Sequence, residues 1–181
     1  MKTFKHLAWV FAIIASGGLT GCAKNTKSAD VVSSVRAALA QAGLADVTAR
    51  EDLDKGVLTL GGHVAADADK ERAEGLAKTL AGPQVVANEI AVIPPGAESE
   101  AKKINSSLDK GIENNLEAAL MMEKLNDGVK YSVKNHVGTL TGDVNSPMAR
   151  ARAETIAAGV LNVQQVVNEL QVKKQKATSI N

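Results

Sequence analysis

Residues 57–92 lie on residues 137–172 without a gap. The identities begin with Val57/Val137, Thr59/Thr139, Leu60/Leu140, Gly62/Gly142 and Val64/Val144. They continue through Arg72/Arg152, Ala73/Ala153, Glu74/Glu154 and Ala77/Ala157, and close on Val86/Val166, Asn88/Asn168, Glu89/Glu169 and Val92/Val172. Upstream the match survives a shift of one, with Val35, Ala38, Leu39 and Leu44 on Leu116, Ala119, Leu120 and Leu125. A period this long means one small domain written twice, not one large core.

Each copy has the same local pattern. Val31, Val35, Ala38, Leu39 and Ala42 recur at helical spacing, as do Ile112, Leu116, Ala119 and Leu120. Gly43 stands where a helix C-terminus wants it. Val129, Tyr131 and Val133 alternate with Lys130, Ser132 and Lys134, the pattern of a half-buried strand. The tight turns Asp54-Lys55-Gly56 and Asn135-His136 lead into a second strand, where Leu60, Gly62 and Val64 share a face with counterparts Leu140, Gly142 and Val144. We read Gly62 and Gly142 as seats for a packed helix, because glycine inside a strand marks close backbone approach. A second helix carries the stripe Ala73, Leu76, Ala77, Leu80, repeated as Ala153, Ile156, Ala157 and Val160. Ser146-Pro147 supplies an N-cap and a first-turn proline, and Asp67 and Asp69 suit a helix N-terminus. A last strand runs from Val86 to Val92, matched by Val166 to Val172.

The fold class is therefore α+β, with two tandem α-β-β-α-β domains. Each is a three-stranded mixed sheet with two helices on one face. A helix joins strands two and three, so these run parallel beside an antiparallel hairpin. The domains are expected at 30–94 and 106–174, separated by a linker at 95–105 that starts stiffly at Pro94-Pro95.

Ahead of the repeat, Lys2 and Lys5 precede the apolar run Leu7–Ile14, which is too short for a comfortable membrane span. Residues 1–21 read as a signal peptide. Leu19-Thr20-Gly21-Cys22 resembles a bacterial lipobox, which makes Cys22 the lipidated N-terminus and residues 22–29 a tether. Ala23 in place of Asp points to the outer membrane. Residues 175–181 form a polar tail.

Composition narrows the functional classes. From Cys22 onward there are 19 Lys and Arg against 20 Asp and Glu, without the basic excess of a polyanion binder. Phe4, Trp9 and Phe11 all fall in the leader, leaving Tyr131 as the sole later aromatic ring. No base-stacking platform for nucleic acid can be built from one ring, and a deep ligand cavity is not expected. One cysteine permits no internal disulfide. His63 and His136 occupy non-equivalent positions, as surface or turn residues do. No phosphate loop, nucleophile elbow or zinc spacing is present, so no catalytic residue, metal ligand or cofactor is assigned. Asn88 and Asn168 are read as satisfying local backbone groups, and Arg72, Glu74, Arg152 and Glu154 as facing solvent.

Both copies resemble BON domains. The pattern is Gly56-Val57-Leu58-Thr59-Leu60-Gly61-Gly62-His63-Val64, the Arg72-Ala73-Glu74 helix and Val86-Ala87-Asn88-Glu89-Ile90-Ala91-Val92, with Val137–Val144, Arg152-Ala153-Glu154 and Val166–Val172 in copy two. The loop before the last strand departs from the pattern, with Gly82-Pro83 in one copy and Asn162-Val163 in the other. The resemblance implies a periplasmic or membrane-attached, non-enzymatic protein. Such proteins contact phospholipid or envelope proteins and support membrane integrity under osmotic stress. Residues 30–94 hold 6 basic and 10 acidic side chains, whereas residues 106–174 hold 8 of each. The second domain is thus the better match to anionic lipid, through Lys130, Lys134, Arg150, Arg152, Lys173 and Lys174. The alternative is a periplasmic protein-interaction or chaperone-like module held at the membrane only by its acyl chains.

Overall fold

The computed structural model describes residues 27–173, so the leader, Cys22, Lys174 and the tail lie outside the described residues. The first unit comprises α1 (Lys27–Gln41), β1 (Val47–Asp52), β2 (Val57–Val64), α2 (Asp67–Ala81), β3 (Val85–Asn88) and β4 (Ala91–Val92). The second repeats it with α3 (Glu98–Met122), β5 (Val129–Lys134), β6 (Val137–Val144), α4 (Pro147–Ala158), β7 (Gln165–Asn168) and β8 (Gln171–Val172). Residues 27–29, read as tether, are the first turn of α1, and residues 98–105, read as linker, are the first turns of α3. Ile104 and Leu108 remain exposed there, so that part of α3 has no buried stripe to reveal it in the sequence.

The central strand of each sheet pairs antiparallel with the strand before it, Val47 opposite Gly62 and Val129 opposite Gly142. It pairs parallel with the last strand, Leu60 beside Asn88 and Leu140 beside Asn168. That last strand is broken in two: β3 and β4 both pair with β2, as β7 and β8 do with β6. The break is made by the asparagine. Asn88 Oδ1 accepts from Ile90 N–H at 3.4 Å, and Asn168 Oδ1 from Leu170 N–H at 3.2 Å. Their amide groups donate to Glu74 and Glu154, each at 2.9 Å, and to the carbonyls of Lys70 and Arg150. Each asparagine thus satisfies local groups as expected, and in doing so ties the second helix to the sheet. Glu154 is exposed as expected, whereas Glu74 is half-buried, and each carboxylate accepts from its asparagine amide.

Two cores follow from the alternation. Val35, Leu39, Leu58, Leu60, Ala73, Ala77 and Ile90 centre the first; Ile112, Leu116, Leu120, Leu140, Ala153, Ala157 and Leu170 centre the second. Burying each Leu or Ile contributes about 1.5–3 kcal/mol. Along α2 the innermost side chains are alanines, including Ala81, while Leu80 of the expected stripe is 38% exposed. Short side chains let the helix lie close on the sheet. Ser146 caps α4 by accepting from Ala149 N–H at 3.1 Å, with Pro147 in the first turn. Gly82 and Asn162 share the same positive φ of 64° and 69°, so the divergent loops begin alike, although α4 stops at Ala158.

Gly62 and Gly142 do not seat helices. A Cβ on Gly62 would lie 2.0 Å from the Asp46 carbonyl oxygen, and one on Gly142 would lie 2.1 Å from that of Gly128. The close neighbour is the antiparallel strand's own entry, and φ is +88° and +105°. Glycine is required where the hairpin's backbone folds over itself.

Candidate functional site: the interdomain face and the surfaces around it

Helices cover one face of each sheet. The other face carries Val57 and Ala87 in the first domain and Val137 and Val167 in the second, and these four buried side chains form one cluster between the domains. The contact is reciprocal. Glu89 and Glu169, equivalent in the repeat, pair with Lys134 at 2.7 Å and Lys55 at 2.6 Å across the junction. The glutamates are only 17% and 10% exposed, whereas the lysines remain about half in water. Lys55 has its pKa raised, first by the hydrogen bond it donates to Glu169.

The β5–β6 turn is the other half of the junction. Asn135 and His136 both have positive φ, 47° and 69°, the geometry of a two-residue hairpin loop. Asp109 of α3 accepts from both backbone N–H groups, at 2.8 and 3.0 Å. The turn then meets the first domain: Asn135 Nδ2 donates to Glu89 O at 2.8 Å, and Lys70 Nζ to Asn135 O at 3.4 Å. Burial lowers the pKa of Lys70. Gln165 completes the junction by gripping the free edge of β3. Its Nε2 donates to Val86 O at 2.6 Å and its Oε1 accepts from Asn88 N–H at 2.9 Å.

Beside this junction lies an open cleft of about 530 Å3, which sequence reasoning did not anticipate. Its walls include His63 and Ile93 of the first domain, Lys102 and Lys110 of α3, and Val133 and Lys134 of β5. His136 is not part of it; it lines a separate space of about 80 Å3 with Lys70 and Gln164. Among the described residues no group of His, Cys, Asp or Glu is arranged to hold a metal ion.

Among the described basic residues expected at a lipid surface, three have partners within the protein. Lys134 is engaged with Glu89, Arg150 donates to Asn168 O at 3.0 Å, and Arg152 is hydrogen-bonded to Glu123. Arg72, equivalent to Arg152, likewise reaches the end of the preceding helix, donating to Ala42 O at 3.1 Å. Lys130 lies on β5 and Lys173 directly follows β8, so the two flank β6 on opposite sides.

A different surface was missed. Met121, Met122 and Met148 are 54%, 83% and 80% exposed. They are every methionine after Met1. The Glu123–Arg152 contact brings the end of α3 beside the start of α4, where Met122 precedes Glu123 and Met148 lies one turn before Arg152. Lys124, Arg150 and Arg152 flank this corner, all exposed. The equivalent positions of the first domain are Ala40, Gln41 and Ala68. The excess of methionine at one exposed corner was visible in the sequence, but its convergence needed the helix packing.

These features define a class: a protein of two α-β-β-α-β modules joined face to face, with its distinctive chemistry on surfaces and in an open cleft. The chain belongs to the BON-domain family, whose model matches residues 27–94 and 108–174. Members are generally non-enzymatic, are associated with the bacterial envelope, and are linked with phospholipid binding. No helix among the described residues is long and apolar enough to cross a membrane. The chain is also similar to a solved structure of CdsD, a structural protein of the type III secretion system of Chlamydia trachomatis. That likeness has 13% identity and a TM-score of 0.34, and covers 78% of this chain and 91% of the other. A structure of the CdsD C-terminal domain gives 13% identity and a TM-score of 0.35, covering 80% and 98%. The comparison with curated proteins yields no match.

Proposed function

We propose that the chain is an envelope lipoprotein, anchored through Cys22 after loss of residues 1–21, on the periplasmic face of the outer membrane. Its second domain engages anionic phospholipid and so supports membrane integrity. The observation that carries the lipid contact is the methionine corner: Met121, Met122 and Met148 are exposed near the contact of α3 with α4, beside Lys124, Arg150 and the Arg152–Glu123 pair. Methionine enters a headgroup–acyl boundary at little cost in strain, and each nearby cation adds about 1 kcal/mol at an anionic surface. Of the six basic residues expected to contact lipid, Arg150 and Arg152 belong to this corner. Lys130 and Lys134 lie on β5, and Lys173 directly follows β8.

The test is vesicle flotation of residues 22–181 carrying Cys22→Ala, which lack both the apolar leader and the acyl anchor. They should float with vesicles containing phosphatidylglycerol or cardiolipin and not with phosphatidylcholine alone. A Met122→Ser/Met148→Ser variant should lose roughly tenfold in partitioning, the equivalent of about 1.4 kcal/mol. Equal recovery with neutral and anionic vesicles, or no loss in the double variant, would overturn the assignment.

A further inference from the structure

The two copies of the fold differ at one sheet edge. In each hairpin the residues facing the free edge can be read from the ladder. The two-residue turn closes on Lys134 opposite Val137, and Gly128 O accepts from Asp143 N–H at 2.9 Å. Lys130, Ser132 and Lys134 therefore spend their backbone groups on β6. The N–H and C=O groups of Val129, Tyr131 and Val133 point away from the sheet. The same register turns Val47, Ala49 and Glu51 outward on β1.

On β1 that edge is closed. Arg36 reaches over from α1 and donates through Nη2 to Ala49 O at 2.7 Å. The matching helix position in the second domain is Glu117, which can only accept, and the residue matching Ala49 is Tyr131. Glu117 takes the tyrosine hydroxyl instead of covering the strand; burial and this hydrogen bond raise the Tyr131 pKa. The other inner edge, β3, is plugged by Gln165. Among the described residues, no side chain bonds the outward backbone groups of β5. An uncovered edge of six residues is a template for another strand.

Charge selects the occupant. On the face away from the helices β5 presents Lys130, Ser132 and Lys134, the last already paired with Glu89 of the first domain. A second copy pairing antiparallel about Ser132 would set Lys130 against Lys134 twice, an unfavourable arrangement. Past Val133 and Lys134 the strand runs into the interdomain cleft, where Lys102 adds a cation beside the Lys110–Glu113 pair and Asp109. We infer that the free edge of β5, continued by the cleft, receives an extended acidic segment of another protein as an added strand. This surface lies apart from the methionine corner, so either assignment can fail alone.

The experiment is amide hydrogen exchange by NMR on the Cys22→Ala chain, with a synthetic peptide alternating Glu and Val as probe. Peptide should slow exchange at Val129, Tyr131 and Val133 by at least about tenfold, leaving β1 unchanged. A Lys–Val peptide should have no such effect. Glu117→Arg, which installs the cap that β1 already has, should abolish the protection. Val133→Pro should do so too, since it removes only an outward N–H. No protection by the acidic peptide, equal protection by both peptides, protection surviving Glu117→Arg, or slow exchange in a peptide-free dimer would each overturn the inference.

Discussion

Replacing Asp109 by Ala should unseat the second domain from the first. Its carboxylate accepts from Asn135 N–H at 2.8 Å and from His136 N–H at 3.0 Å. These bonds hold two non-glycine residues at positive φ, a conformation that is costly without support. Hydrogen bonds to a charged acceptor contribute about 1.5–3 kcal/mol each when sheltered. Asp109 is half-buried, so the lower end applies and the expected loss is about 2–4 kcal/mol. The effect spreads because the same turn carries Asn135 Nδ2 to Glu89 O and receives Lys70. Lys134→Ala is the contrasting variant. It removes a junction ion pair whose lysine side chain is 54% exposed, and should cost only about 0.2–1 kcal/mol. Urea unfolding read by Tyr131 fluorescence reports the second domain, while far-ultraviolet circular dichroism reports both. For Asp109→Ala the fluorescence midpoint should fall and separate from the dichroism midpoint. A loss below about 0.5 kcal/mol, or no larger than that of Lys134→Ala, would refute the role given to the turn.

Three further outcomes follow from single contacts. Gly142→Ala should cost more than about 3 kcal/mol, because its Cβ would fall 2.1 Å from Gly128 O at φ +105°; Gly111→Ala, with open space in a helix, should gain about 0.5–1 kcal/mol by thermal melting. Gln165→Ala should cost about 1–3 kcal/mol, since it strips partners from Val86 O and Asn88 N–H, and the amide of Asn88 should exchange faster. Burial pushes the Glu74 pKa up, but hydrogen bonds from Lys78 and Asn88 outweigh it and hold it below the ordinary 4.5. Its contribution is therefore present above pH 4.5 and lost as pH falls through the depressed native value. Acid titration of Glu74→Gln should show a correspondingly weaker pH dependence.

Much of this was written in the chain. The repeat, the strand and helix periods and the order α-β-β-α-β depend on local spacing of apolar residues. Burial of one face per element makes that spacing obligatory, so it can be read without coordinates. Ser146-Pro147 and Asn135-His136 were legible for the same reason, since caps and two-residue turns are satisfied within a few residues. Other decisions belonged to groups far apart in sequence. Gly62 was recognisable as a point of close approach, yet only the hairpin's register shows that it yields to the Asp46 carbonyl and not to a helix. Glu89 and Glu169 were visible as repeated residues, but pairing them with Lys134 and Lys55 required two open sheet faces to meet. That meeting has no periodic signature: four small apolar side chains and a few reciprocal polar contacts suffice. The chain's alternation dictates what each domain buries within itself. Which leftover faces and edges close on one another, and which stay open, is fixed by shape and charge matching that appears only once both copies are folded.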